Sequence, residues 1–296
     1  MEDKKAKHSE TVSILLLMLT ALIWGTAFVA QSVGMKYIKP FTFNFARFLI
    51  GGLVLLPVVS FTGKSRTAKG PARTETDRRS IKAGIICGVL LFAASSFQQF
   101  GILFTSVGKA GFITALYIII VPVLGLFMKR KVPRTVWTAA VIALIGMYLL
   151  CVNEGFTISE GDILVFFCAL VFSFHIMTVD HFSAGTDGVL ISCVQFFTAG
   201  ACSLCFMIPF EHPSFSAVLS AWLPVLYAGV LSCGVAYTLQ IIGQKHVRPA
   251  IASLVMSLES VFSALAGWAI LKETMSPKEV CGCILVFAAI LIAQKS

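Results

Sequence analysis

The chain has 296 residues, of which 57% are hydrophobic types and 12% are charged, against about 25% charged residues in ordinary soluble domains. With a mean hydropathy of +0.90, this composition excludes a soluble enzyme and a disordered chain, because a single core of this size does not hide so much apolar surface. The net charge of +9 does not mark a nucleic-acid partner: the cations fall in short gaps between apolar runs, and no basic face remains once those runs are set aside.

Apolar runs of about 18 to 24 residues predict ten membrane-spanning helices, over 12–33, 41–61, 82–105, 110–128, 134–152, 161–180, 189–209, 222–243, 249–271 and 277–294. The first follows Lys4, Lys5 and Lys7 as a secretory leader would, but it runs on through Trp24 and Phe28 without a small-x-small cleavage site. It is therefore read as a retained span. The runs are continuous rather than alternating, which excludes a membrane β-barrel. Only the connection 62–81 is long; it is basic and rich in Gly, Ser and Thr. With the N-terminus inside, 17 of the 23 cations lie in inside segments, 5 in outside segments, and Arg47 within a span. This bias predicts a multi-pass protein of the cell (inner) membrane with both termini cytoplasmic. The nine cysteines lie in or at the ends of apolar runs, where cysteine packs as a small apolar residue. Cys202-x-x-Cys205 and Cys281-x-Cys283 have no partners at zinc spacing, so no metal or cofactor is expected.

The two halves match one another. Residues 20–48 align on 168–196 at an offset of 148, with Ala21-Leu22 on Ala169-Leu170 and Arg47-Phe48 on Gln195-Phe196. Residues 96–112 align on 235–251 at an offset of 139, with Gln98 on Tyr237 and Lys109 on Arg248. Each half holds an odd number of spans, so the second copy enters the membrane inverted. Inverted repeats are characteristic of secondary transporters with a site near the midplane. A duplicated scaffold without transport is the alternative.

Several sequence pieces carry a resemblance. They are Leu22-Ile23-Trp24-Gly25-Thr26-Ala27-Phe28, Phe45-Ala46-Arg47-Phe48, Gln99-Phe100-Gly101 with Gly111-Phe112, Gly161-Asp162-Ile163-Leu164, Ala236-Tyr237-Thr238-Leu239-Gln240 and Leu258-Glu259-Ser260-Val261-Phe262. In this order across ten spans they resemble the EamA-type branch of the drug/metabolite transporter superfamily, from about residue 12 to 294. The resemblance implies an all-α membrane fold of two inverted five-helix repeats, 12–152 and 161–294. Spans one to four and six to nine would surround a central cavity, with spans five and ten outside. The family often has Glu-Pro in span nine; here Ser260 replaces the proline, which leaves a helix break there unspecified. Span four keeps Pro122.

Polar groups at membrane depth are costly and are candidates for function by default. Glu259, beside Ser257 and Ser260, must be paired or protonated; its readings are proton coupling or substrate contact, against a structural hydrogen bond. Arg47 keeps its charge and needs a carboxylate, helix carbonyls or an anionic solute. His175 titrates near neutrality when free or serves an interhelical hydrogen bond, and Asp180-His181 sits at the cytoplasmic end of its span. Asn44, Gln98, Gln99, Gln195, Tyr237 and Gln240 offer neutral donors and acceptors, and Trp24, Phe28, Phe97 and Tyr117 offer aromatic walls. Gly84-x-x-x-Gly88 and Ala264 to Gly267 suit close helix packing. The expected function is secondary transport, with export as the expected direction, of a small polar organic metabolite such as an amino acid. It would proceed by alternating access in a lipid bilayer. No Walker A sequence supplies ATP drive. The rivals are a channel-like facilitator and an intramembrane enzyme, the latter without H-E-x-x-H or G-x-S-x-G.

Overall fold

The computed structural model describes residues 2–65, 71–105, 107–151, 158–271 and 276–293. These form helices joined by short turns, with no β-strand among them. Eight helical stretches are long and apolar enough to cross a membrane, and Arg134–Leu150 is a shorter apolar helix. Arg66, Lys69, Lys272, Lys295 and the repeat boundaries at 152 and 294 lie outside the described residues, and the side chains of Lys64, Arg73 and Lys109 are likewise not described.

In chain order the elements are α1 (Glu2–Gly34), α2 (Pro40–Ser65), α3 (Pro71–Ile102), α4 (Val107–Thr114), α5 (Tyr117–Phe127), α6 (Arg134–Cys151), α7 (Glu160–Ser183) and α8 (Gly188–Phe210). Then come α9 (Phe215–Ser220), α10 (Trp222–Leu226), a π-helical segment (Tyr227–Tyr237), α11 (Thr238–Gly243), α12 (Pro249–Met256), α13 (Leu258–Leu271) and α14 (Pro277–Ala293). Two helices outrun the apolar runs that predict them. α1 starts at Glu2 and α3 at Pro71, within the stretch expected as a basic loop, because hydropathy marks where lipid ends and not where a helix ends. Pro71 at the start is compatible with this, since a first-turn residue needs no N–H donor.

Three predicted spans are interrupted. The fourth is split into α4 and α5. At the break, Leu116 N bonds Ile113 O and Ile118 N bonds Ala115 O, three residues back rather than four, and Pro122 one turn on has no N–H to donate. The ninth is split at Ser257 into α12 and α13. Ser260 N bonds Ser257 O at 3.1 Å, and Ser257 Oγ donates to Leu254 O at 2.7 Å. A serine hydroxyl that competes for helix carbonyls thus breaks the helix without a proline. The eighth span carries the π-helical segment, a register seldom used outside functional sites.

α2 runs along α8, α3 along α7 and α8, α6 along α14, and α1 crosses α13 and the π-helical segment. Small residues set these approaches. Gly84 and Gly88 of α3 face Val194 and Thr198 of α8, Gly146 faces the carbonyl of Gly282 across α6 and α14, and Gly25 lies under the Glu259 carbonyl. The interior holds Phe43, Phe48, Phe196, Leu91 and Leu254. Leu53, Ile145, Ile163, Ile208, Trp268, Ile284 and Leu291 point outward, as lipid-facing side chains do.

Polar side chains tie the helix ends. The Glu211 carboxylate accepts from Phe41 N (2.8 Å), Thr42 N (2.6 Å) and Thr42 Oγ1 (2.7 Å), a charge placed on the positive end of α2. Ser159 and Asp162 form a reciprocal cap on α7. At the opposite end of the bundle Ser80 Oγ accepts from Asp187 N, Lys245 donates to Thr186 O, and Arg130 pairs with Asp180. There Ser13 and Leu17 of α1 lie against Gly243. This end gathers Arg130, Lys131, Lys245 and Arg248 and is termed the basic end below.

Gly25→Ala places a Cβ 2.6 Å from the Glu259 carbonyl oxygen and 2.7 Å from Phe262 Cβ, and is expected to cost about 1–3 kcal/mol. Gly200→Ala, whose nearest contact is 3.7 Å from Phe48 Cβ, is expected to stabilise by about 0.5–1 kcal/mol in mid-helix. Thermal unfolding of the detergent-solubilised chain reads both signs.

Candidate functional site

The breaks in the fourth and ninth spans meet. Tyr117, the first residue of α5, donates its hydroxyl to Glu259 Oε1, at the second position of α13, at 3.0 Å. Both residues are buried, Tyr117 at 3% and Glu259 at 4% exposure. A carboxylate at this depth is held in place by a neighbouring hydroxyl, and Glu259 sits in the first turn of α13, where the helix dipole favours negative charge.

A central cavity opens beside this bond. It is lined by Trp24, Phe28 and Gln31 of α1, Arg47 of α2, Gln98 of α3, Thr114 of α4, Tyr117 of α5, Phe172 and Ile176 of α7, Ser232 and Tyr237 of the π-helical segment, Gln240 of α11, Met256 of α12 and Glu259 of α13. Its free space is about 40 Å³, room for a few water molecules and too little for a metabolite.

Arg47 is 3% exposed. Its Nη1 donates to Gln31 Oε1 at 3.4 Å, and its guanidinium lies 5.6 Å from the Phe43 ring centroid and 4.8 Å from that of Phe48. Cation–π contacts of this kind soften the burial of the charge. Among the described residues no carboxylate pairs with it, and its Nε has no hydrogen-bond partner. Gln31 also accepts from Gln99 Nε2 at 2.6 Å, so one amide oxygen links α1, α2 and α3. Gln98 Nε2 reaches Thr114 Oγ1 at 3.5 Å. Trp24 Nε1 donates to the Ser232 carbonyl at 3.4 Å, and Thr20 to that of Ala236 at 3.1 Å, so α1 side chains bond carbonyls of the π-helical segment. Trp24 and Tyr237 pack ring to ring at 4.6 Å.

Of the residues singled out by sequence, Trp24, Phe28, Arg47, Gln98, Tyr117, Tyr237, Gln240 and Glu259 line this one cavity, and Phe97 does not. Asn44, Gln99, His175 and Gln195 are buried but do not line it. His175 Nε2 and Gln195 Oε1 bond each other at 3.1 Å, an interhelical pair between α7 and α8, and Gln99 supports Gln31. Gln31, Thr114 and Ser232 line the cavity unforeseen. Each is a polar residue within an apolar run, the same signal that marked Gln98. Asp180 is paired with Arg130 at the basic end, away from the cavity lining.

An apolar helical bundle with outward-facing aliphatics and a central polar cavity defines a multi-pass membrane protein, whose surroundings are a lipid bilayer. The EamA-like transporter family matches residues 11–152 and again 159–294. A protein of Archaeoglobus fulgidus named "Uncharacterized transporter" is 31% identical over 280 residues, 94% of this chain and 84% of its own length. "Uncharacterized inner membrane transporter YedA" of Escherichia coli is 24% identical over 92% of this chain and 87% of its own. A crystal structure with 20% identity superposes with a TM-score of 0.78 over 96% of this chain and 97% of that one, which shows a shared fold. The chain belongs to the EamA-like transporter family.

A double-mutant cycle with Tyr117→Phe and Glu259→Gln, read by thermal unfolding, is expected to give a coupling energy of about 1–3 kcal/mol. Additive effects would separate the two side chains energetically.

Proposed function

We propose that this transporter carries a small polar organic solute with an anionic group, such as an amino acid, by alternating access between two inverted five-helix repeats, 12–152 and 161–294. The repeat reading is supported by the family matching twice along the chain. It is also supported by packing that pairs corresponding elements. Spans two and seven (α2 and α8) and spans five and ten (α6 and α14) pack on their own counterparts. The α1–α13 crossing has its counterpart in α7 against α4 and α5. In this reading the ten spans include α6 and α14 beside the eight long ones.

The observation that carries the solute class is Arg47: buried, permanently charged and without a carboxylate partner among the described residues. In the same cavity Glu259, Gln98 and Gln240 supply acceptors and donors for an ammonium or hydroxyl group. A zwitterion would place its carboxylate on Arg47 and its ammonium towards Glu259. Glu259 is the proposed proton-coupling group, since protonation there alters both the charge of the cavity and the Tyr117 bond that joins two broken helices. The small free volume favours a moving, gated cavity over the standing pore of a channel. The cations gathered at the basic end, and the inner-membrane naming of YedA, support a cell-membrane location with the basic end cytoplasmic.

A thermal-shift screen against metabolites, followed by flux of the hits in reconstituted vesicles, tests this. Saturable flux with counterflow is expected. Arg47→Gln is expected to weaken flux of anionic solutes at least tenfold, the loss of one charge-assisted contact. Glu259→Gln is expected to flatten the pH dependence; normal flux with unchanged pH dependence in that variant would remove Glu259 from coupling.

A further inference from the structure

A second cavity, of about 330 Å³, opens at the basic end. Arg130, Lys131 and Arg248 line it, and its floor includes Val121, Met177 and Ile251. Arg130 pairs with Asp180; among the described residues no carboxylate pairs with Lys131 or Arg248. Two positive charges at the mouth are therefore uncompensated, and a third is held by a partly exposed bridge for which an anion can compete.

The two cavities share three helices. On α5, Tyr117 lines the central cavity and Val121 the second; on α7 they are Ile176 and Met177; across α12 they are Met256 and Ile251. Four residues of α5 span about 6 Å, so a thin apolar layer separates them. The floor is interior: Val121 is 1%, Met177 5% and Ile251 4% exposed.

We infer that this cavity is an anion-binding antechamber. An organic anion with an apolar body rests its charged group on Arg248 and Lys131 and its body on the floor, before or after its stay at Arg47. The inference rests on the reading of Arg47 as the contact for the solute's anionic group. An anion that competes with Asp180 for Arg130 also loosens the 128–133 connection from α7, which couples occupancy to opening at this end.

Calorimetric titration of benzoate and of phenyl phosphate into the full chain, in nanodiscs of phosphatidylcholine, tests it, with benzyl alcohol as the uncharged control. Two saturable anion sites are expected. Arg248→Gln and Lys131→Gln should each weaken one of them about tenfold, Arg248→Lys should retain it, and Arg47→Gln should weaken only the other. The antechamber site should also weaken as salt rises from 50 to 500 mM, because the Debye length falls from about 14 Å to about 4 Å and its cations Lys131 and Arg248 are exposed, whereas the buried Arg47 site should respond less. If Arg47→Gln is silent while Arg248→Gln acts, the central reading fails and the antechamber stands. If neither Arg248→Gln nor Lys131→Gln changes the binding of either probe, in chains that unfold at the wild-type temperature, the antechamber is overturned. Displacement of the probes by phosphatidylglycerol in the disc, lost in Lys131→Gln, would assign the cavity to lipid headgroups and overturn it equally.

Discussion

A carboxylate buried among apolar helices must be satisfied where it sits, and much of this molecule is arranged around that requirement. Glu259 meets it through Tyr117. Neither side chain lies on an uninterrupted helix: each opens a new helical segment just after a break. Breaks free backbone groups that lipid does not hydrogen-bond, and they are tolerated at membrane depth only inside protein or beside a cavity. The carboxylate, the two breaks and the cavity therefore depend on one another. Moving Glu259 to the lipid face would leave the charge unsatisfied, and closing the breaks would shift Tyr117 away from it.

Around that bond the bundle sorts its side chains by depth. Arg47, Gln31, Gln98 and Gln240 turn inward, and one face of α3, α6, α7 and α14 turns large aliphatics such as Ile85, Ile145, Ile163 and Ile284 outward. The α1 helix holds two roles at once. Gly25 brings its backbone against α13, and Thr20 and Trp24 bond carbonyls of the π-helical segment. That segment has a register looser than an α-helix, so α1 links the Glu259 helix to the least regular part of the second half. At the ends, Glu211 on α2 and the Arg130–Asp180 bridge use charge where water is near, while in the middle Arg47 and Glu259 meet an amide and a hydroxyl.

Much of this was legible in the residues. Lipid demands continuous apolar runs, so the spans stand out, and a polar residue within a run is conspicuous, as Glu259, Arg47 and Gln98 are; Tyr117 stands out only as an aromatic. Facing is less legible. Asn44 and Gln195 obey the same rule as Gln98 but do not line the cavity, and Gln195 bonds His175 of the neighbouring helix instead, because a run apolar on all sides carries no period to orient it. The breaks were hidden for a different reason. Ser260 stands where the resemblance expects a proline, whereas the ninth-span break lies at Ser257, through a hydroxyl bonded to the Leu254 carbonyl. The π-helical segment is hidden too, since an extra residue per turn leaves the composition of an apolar run unchanged.

The central claim is that two halves move against each other about the cavity between them. Distances between spin-label pairs in nanodiscs test it most directly: one pair at Phe127 and His246 on the basic end, another at Phe104 and Phe215 on the opposite end, all of them exposed positions. On saturation with a transported solute, one distance should lengthen as the other shortens. Two distances that stay fixed, or that change in the same direction, while solute still crosses the membrane would contradict the account.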